Sequence, residues 1–302
     1  NIICLSLWLL LNKWKVALII GLALVVSYKP ITTLFPLNLK RQTVPEKSLK
    51  VLTYNVMGFM RESKKESAHP LLEYIAKTDA DIVCLQEYMI SKTGKSLLTQ
   101  GDINKILSKY PYRSITGLEY SGKYHTYGLA CFSKFPITHT HEFTFKSSYN
   151  GAAIYTIDID GENYLVSNNH LESNKISSSD KKLYSDFLSN RNYPTALEVG
   201  SNIKKRMGRG YTKRATQVQQ ITDYINQQDY DKLIVCGDFN DMPISYAYKK
   251  MRGNLEDAYA STGFGPGITY HEHLFLFRID YILHSKNLKA YKTTVDRVRY
   301  SD

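Results

Sequence analysis

Leu233-Ile234-Val235-Cys236-Gly237-Asp238-Phe239-Asn240 reads as a strand covered on both faces that ends in a carboxylate and an amide. Four apolar residues in succession suit a strand inside a layered α/β protein, where neither face meets water. Three other segments repeat the design. Residues 51–55 end in Asn55, residues 82–87 in Gln86-Glu87, and residues 165–170 in Asn168-Asn169-His170. A fifth segment, Arg278-Ile279-Asp280, places an Asp at the start of a strand. Strand ends are where a rigid α/β scaffold presents polar groups into one cleft. Asp238 and Asn240 are two apart, so extended backbone would point both side chains to the same side. Gly237 and Phe239 would let the chain turn there while keeping an apolar anchor.

Outward from these motifs, alternation and β-rich composition predict strands over 49–55, 81–86, 112–116, 127–133, 151–159, 163–169, 232–237, 279–284 and 288–295. Helical spacing predicts helices over 67–77, 102–109 and 211–228, the last with Val218, Ile221 and Ile225 on one stripe. A basic, Ser-rich stretch over 173–210 has weak periodicity. The mixture implies α/β or α+β layers with two sheets or one large sheet. With 302 residues, 43% hydrophobic and 22% charged, the chain is neither disordered throughout, collagenous nor a coiled coil. Four Cys are too few for a disulfide scaffold. Cys84, Cys131 and Cys236 lie inside apolar strands and are expected as free, buried thiols.

The N-terminus carries two apolar runs, residues 2–11 and 16–28, separated by Asn12-Lys13-Trp14-Lys15. A bilayer takes about 20 apolar residues to cross. The first run is too short alone, and Asn1 is not an initiator Met, so the expectation is a first helix whose beginning is missing. Residues 1–28 read as a transmembrane helix or helical hairpin. Its Lys13/Lys15 turn would be cytoplasmic and the rest of the chain extracytoplasmic, at the cell membrane. A signal peptide is the rival, but no convincing small-residue cleavage site comes after it. Residues 29–48 carry three Pro and read as a linker. Residues 49–302 form the soluble domain.

A hard divalent cation takes oxygen ligands, and Mg²⁺ commonly uses one or two carboxylates plus water and phosphate. Asn55, Glu87, Asp238 and Asn240 are such a set, and His170 and Asp280 add groups suited to proton transfer and phosphate contact. The charge points the same way: 39 Lys+Arg against 28 Asp+Glu give +11 and a pI near 9.2, which favours anionic partners. The basic segment 173–214 should fringe the cleft and suits a nucleic-acid backbone or anionic lipid. Arg214 would contact substrate or, with Gln217, brace the cleft floor. Residues 263–275, with His271 and His273, read as a substrate-lining loop.

The ordered set TYNVMGF (53–59), DIVCLQE (81–87), YGLACFSKFPI (127–137), SNNHLES (167–173), CGDFND (236–241), RIDYIL (278–283) and YSD (300–302) resembles the endonuclease/exonuclease/phosphatase superfamily. That group includes pancreatic-type deoxyribonucleases, abasic-site endonucleases, neutral sphingomyelinases and inositol-phosphate phosphatases. The apolar lead resembles its membrane-anchored bacterial members. The resemblance implies a four-layer α/β sandwich, two mixed sheets flanked by helices, and a Mg²⁺ or Mn²⁺ cofactor. It assigns Asn55, Glu87 and Asp302 to the metal. His170 and Asn240 would hold the phosphate, and Asp238 would orient or deprotonate the attacking water. Asp280 would pair with a His after Asp302, expected at 303; the chain stops at Asp302, read here as truncation. Asp302 thus joins the catalytic set. The implied reaction is in-line hydrolysis of a phosphoester by water. The substrate would be nucleic acid outside the cytoplasm, favoured by charge, or a lipid or sugar head group, favoured by the tether. The alternative of another class is a catalytically inactive binding module. No obligate protein partner is implied.

Overall fold

The computed structural model describes residues 2–40, 42–62, 69–94, 98–174, 193–272 and 275–298. Asp302, His273 and the basic residues between 175 and 192 lie outside these. Strands β1 (Val51–Asn55), β2 (Ile82–Ser91), β3 (Tyr112–Gly117) and β4 (His125–Ser133) form one sheet in the order β1-β2-β4-β3. Strands β5 (Ile137–Phe143), β6 (Gly151–Ile159), β7 (Glu162–His170), β8 (Lys232–Asp238), β9 (Glu256–Asp257) and β12 (Asp280–His284) form a second, ordered β5-β6-β7-β8-β12-β9. A separate hairpin joins β10 (Tyr270–Glu272) to β11 (Phe275–Phe277). Each main sheet is mixed: β1·β2 and β7·β8 are parallel and the other pairs antiparallel.

Successive strand residues point to opposite faces, and here both faces are covered. On β2, Val83 and Leu85 pack against Leu71, Leu72 and Ile75 of α3 (Pro70–Thr78) and Ile103 of α4 (Gln100–Ile106). On β8, Leu233 and Val235 pack against Val218, Ile221 and Ile225 of the long helix Tyr193–Ile225, here α5. The alternate residues Ile82, Cys84, Ile234 and Cys236 meet between the sheets with Leu129, Cys131, Tyr155 and Val166. The result is two mixed sheets face to face with helices outside. The three strand thiols are free and buried as expected. The neighbouring Cys131 thiol, together with burial, holds Cys84 well above the usual thiol range.

Toward one edge the space between the sheets turns polar. Gln86 Nε2 donates to Asn168 Oδ1 at 2.6 Å, and Asn168 Nδ2 donates to the carbonyls of Leu85 (3.1 Å) and Ala130 (3.2 Å). One β7 amide thereby ties both sheets. Asn168→Ala is expected to destabilise the chain by about 1–3 kcal/mol, because two buried carbonyls lose their donor. A thermal melt of the detergent-solubilised chain reads this; an unchanged midpoint would show that the amide layer does not hold the sheets together.

The expected strand over 288–295 does not form. That segment is irregular, and nearby Asp296 Oδ2 accepts from Tyr74 Oη at 2.6 Å on the first sheet's outer helix. Strand β5 and helix α6 (Tyr246–Arg252) were not expected from the sequence. His and Thr hide the alternation of β5, and seven residues give too little period for α6. At the N-terminus α1 (Ile2–Leu10) and α2 (Trp14–Leu34) make a helical hairpin. α2 has 21 residues, and its most apolar 18-residue stretch has a mean hydropathy of 1.8, so it is long and apolar enough to cross a bilayer. It runs through Pro30 to Leu34, into the stretch read as linker.

Candidate active site at the ends of the parallel strands

Both parallel pairs end at the same edge of the sandwich. Asn55 lies in register with Gln86, and His170 with Asp238, which in turn faces Asp280 at the start of β12. The two sheets meet there through Asn55, whose Nδ2 donates to Glu87 Oε1 (2.9 Å) and Asp238 Oδ2 (3.2 Å). The four strand-end motifs of the sequence therefore converge.

Glu87 reaches this point by a device the sequence does not show. Val83 and Leu85 face the helices, and strict alternation would send residue 87 after them into the apolar layer. Instead β2 continues to Ser91 through a register shift between Leu85 and Tyr88, and Glu87 takes a left-handed φ of 51°. A β-bulge adds one residue to one strand and re-aims the side chains beyond it. Here it returns Tyr88 to the helix side, fully buried, and leaves the Glu87 side chain 29% exposed in the cleft. A non-glycine residue held in this region costs on the order of 1–3 kcal/mol, a strain characteristic of functional positions.

Gly237 is required for a comparable reason. Its φ is 124°, and a Cβ there would lie 2.0 Å from the Asn169 carbonyl oxygen across the β7·β8 ladder. It is thus a strand position and not the turn expected from the sequence; the turn comes two residues on. Asn240 has a φ of 52°, its N–H donates to Asp238 Oδ1 (2.8 Å), and its Nδ2 donates to the Leu171 carbonyl (3.0 Å). The extended backbone that would set Asp238 and Asn240 side by side is replaced by an Asx turn. Phe239 packs into the helix-side core as the apolar anchor. Burial pushes the Asp238 carboxyl above its usual range, with the Glu87 charge adding to the rise; His170, the Asn240 N–H and Asn55 pull it down.

His170 is buried, and its Nδ1 lies 3.1 Å from the Tyr149 carbonyl. A carbonyl can only accept, so Nδ1 carries a proton and Nε2 is left to face the cleft. Nε2 is 3.4 Å from Asn150 Nδ2 and 3.5 Å from Glu87 Oε1. The neutral ring can accept from the amide, and the protonated ring can pair with the carboxylate. Asp280 is half-buried, and its N–H donates to Thr269 Oγ1 (3.2 Å).

Arg214 is set apart from this group. It is fully buried, with Nε on Asp241 Oδ2 (3.0 Å), Nη1 on the Glu172 carbonyl (2.6 Å) and Nη2 on Asn174 Oδ1 (2.9 Å). Gln217 Oε1 accepts the Glu172 N–H at 2.9 Å. Of the two roles expected for Arg214, this arrangement is the brace: it locks the segment after His170 to the segment after Asn240. His271 lies exposed on the β10–β11 hairpin.

Three residues at the site were not singled out from the sequence. Tyr127 is buried, and burial together with the nearby Glu87 charge pushes its hydroxyl well above the usual phenol range. Tyr149 and Asn150 precede β6 and hold the two nitrogens of His170. Tyr127 opens the YGLACFSKFPI motif, whereas Tyr149 and Asn150 carry no local signal.

The donor set suits a small hard cation. Glu87 and Asp238 bring two carboxylates onto one amide, at a partly open edge, with oxygen atoms as the natural ligands. Asn55 enters as a donor, its Oδ1 turned to the Met57 N–H (3.1 Å). Among the described residues no three His, Cys, Asp or Glu side chains form a cage.

Two sheets face to face with helices outside form a four-layer α/β sandwich, with a carboxylate–amide–imidazole cluster on the shared edge. Residues 52–302 match the model of the endonuclease/exonuclease/phosphatase family, and the chain belongs to that family. Its members are phosphoesterases that generally work with divalent metals. No curated protein matches the chain in sequence. Among solved structures it is similar to an endonuclease/exonuclease/phosphatase family protein from Leptotrichia buccalis C-1013-b. That match has 19% identity and a TM-score of 0.54, covering 80% of this chain and 89% of that one. It is also similar to the human nocturnin catalytic domain with bound sulfate (20%, TM-score 0.53, covering 83% and 84%). A third likeness is to ANGEL2, a 2',3'-cyclic phosphatase (15%, TM-score 0.51, covering 79% and 83%). At these identities the likeness shows the fold.

Proposed function

We propose that the chain is a Mg²⁺- or Mn²⁺-dependent hydrolase that cleaves a phosphoester by in-line attack of water. One observation supports this beyond the rest: a bulge in one sheet and a glycine-dependent strand end in the other bring Glu87, Asn55, Asp238 and His170 within hydrogen-bonding reach. Glu87, with Asp302 as the family resemblance implies, would hold the cation, and Asn55 would join them once its amide turned Oδ1 from the Met57 N–H to the metal. When bound, it supplies Lewis-acid polarisation of a phosphoryl oxygen. Asp238 orients the water and takes its proton, since a buried carboxyl with a raised affinity for protons is suited to that transfer. His170, fixed by Tyr149, turns Nε2 toward the phosphoryl oxygens, to which the doubly protonated ring would donate, and Tyr127 lies beside the Glu87 carboxylate. The Asn240 N–H keeps Asp238 in its rotamer. Negative charge developing on the phosphoryl oxygens would thus meet preorganised donors.

Nucleic acid is one substrate reading, supported by the +11 charge. A phosphoester presented at a membrane is the second, supported by α2; with the Lys13/Lys15 turn cytoplasmic, the domain would lie on the outer face of a cell membrane. The test uses the detergent-solubilised chain with Mg²⁺, a soluble chromogenic phosphodiester and supercoiled plasmid. Chelation is expected to abolish turnover and restored Mg²⁺ to return it. Turnover that persists in chelator would overturn the metal-dependent reading. Nicking of plasmid would select nucleic acid.

A further inference from the structure

The end of α2 does not lead into a free tether. Arg278 Nη2 donates to the Thr33 carbonyl in the last turn of the helix (2.7 Å). Its Nη1 pairs with Asp257 at 3.1 Å, both side chains being 2% exposed. Past the helix, Asn38 Nδ2 donates to the carbonyls of Ala260 (3.0 Å) and Gly263 (2.8 Å), and the Gly265 N–H donates to Pro36 O (2.9 Å). Leu37 and Phe264 pair as an antiparallel bridge. The receiving loop is itself fixed. The Tyr259 ring lies over Arg278, 5.1 Å from its guanidinium carbon, and its hydroxyl donates to the Phe264 carbonyl (3.0 Å). The same ring packs so closely on Gly263 and Gly267 that a Cβ would come within 2.7 Å and 2.3 Å of it.

This junction lies at the catalytic edge. Arg278 is two residues from Asp280, which faces Asp238 in register. At about 3.3 Å per strand residue that is about 7 Å along the chain. Around the junction Phe35, Leu37, Leu39, Phe264 and Leu276 are 47–81% exposed, and Tyr246, after the Asn240 turn, is 60% exposed. Tyr28 and Ile31, 68% and 46% exposed, lead from this rim along α2 to Leu18, Ile19, Leu22, Val25 and Val26, which are 63–73% exposed. A 21-residue helix is about 31 Å long, close to the hydrocarbon thickness of a bilayer. Phe35, just past its end, then falls in the interfacial layer.

We infer that the bilayer covers this rim: with α2 spanning the membrane, the Arg278 junction holds the catalytic edge against the outer headgroup layer. The enzyme then takes a phosphoester presented at the membrane surface. The substrate class rests on the proposed phosphoesterase activity; the docking of the rim does not. A flexible tether would let the domain tumble, whereas this one dictates which edge faces lipid.

The experiment replaces the two native Trp (Trp8→Phe, Trp14→Phe) and introduces Phe264→Trp in the full chain. The protein is reconstituted in phosphatidylcholine/phosphatidylglycerol vesicles with lipid brominated near the headgroup. Tyr112→Trp is the control: it starts β3 opposite Ser133, which pairs with Ile82 at the far end of the sandwich. The expected result is blue-shifted emission from position 264, most of it lost to bromine, with emission at position 112 retained. Equal quenching at both positions, or none at 264, overturns the proposal. So does blue-shifted emission that bromine leaves untouched, which would mean a second chain covers the rim. Leu39→Trp, at an 81% exposed position, is the second reporter if Phe264→Trp does not fold. The same vesicles are assayed on the soluble phosphodiester. Quenched but inert protein sinks the phosphoesterase reading and leaves the docking; active but unquenched protein sinks the docking alone.

Discussion

Asp238→Asn is expected to lower kcat on a soluble phosphodiester by about 10²–10⁴-fold, the range lost when a positioned proton acceptor is removed. The substitution is close to isosteric. One amide oxygen can still accept the Asn240 N–H that Asp238 Oδ1 accepts at 2.8 Å. What it cannot do is take a proton from water, or accept the Asn55 Nδ2 that Asp238 Oδ2 accepts at 3.2 Å. The thermal midpoint should hold or rise, because burial disfavours the Asp238 charge and the amide carries none. Steady-state kinetics and a melt on the same sample separate the outcomes. Equal losses in kcat and kcat/KM place Asp238 in the transition state, whereas a raised KM with kcat intact would make it a binding group. Turnover equal to the parent would remove Asp238 from the mechanism.

Arg214→Ala has the opposite signature. It is expected to destabilise the chain by about 3–5 kcal/mol, because removing one partner of a buried ion pair strands the other. For a domain of this size each kcal/mol moves the melting midpoint by about 2–4 °C. Asp241 would keep its buried carboxylate with its 3.0 Å partner gone, and the Glu172 carbonyl and Asn174 would lose their donors as well. A residue that contacts substrate would instead raise KM and leave the midpoint in place. Arg214→Lys, which restores charge without the three-way fork, should recover little of the loss. A variant with an unchanged midpoint and a raised KM would return Arg214 to the substrate.

The residues of the candidate site were legible because their chemistry is local. An apolar strand ending in Asn, Glu, His or Asp says where a polar group will be, and Asn55, Glu87, His170 and Asp238 do meet. How they meet was not legible. Glu87 faces the cleft because β2 carries a bulge, and a bulge depends on the partner strand β4 as much as on β2. The Asn240 turn, the hold of Tyr149 and Asn150 on His170, and the burial of Arg214 all depend on residues 20 to 45 positions away or more. Arg214 shows the limit well. An arginine in a basic stretch reads as a solvated anion contact until its neighbours are known.

Composition and strand patterning alone determined that this is a layered α/β chain with an apolar N-terminal lead and a cluster of strand-end polar groups. Those properties arise from which residues avoid water and at what period. The tertiary structure alone decided that the thiols meet between the sheets, that Asn168 ties one sheet to the other, and that α2 is bound to the catalytic edge through Arg278. Each depends on contacts between segments far apart in the chain, and such contacts exist only once the chain has closed on itself.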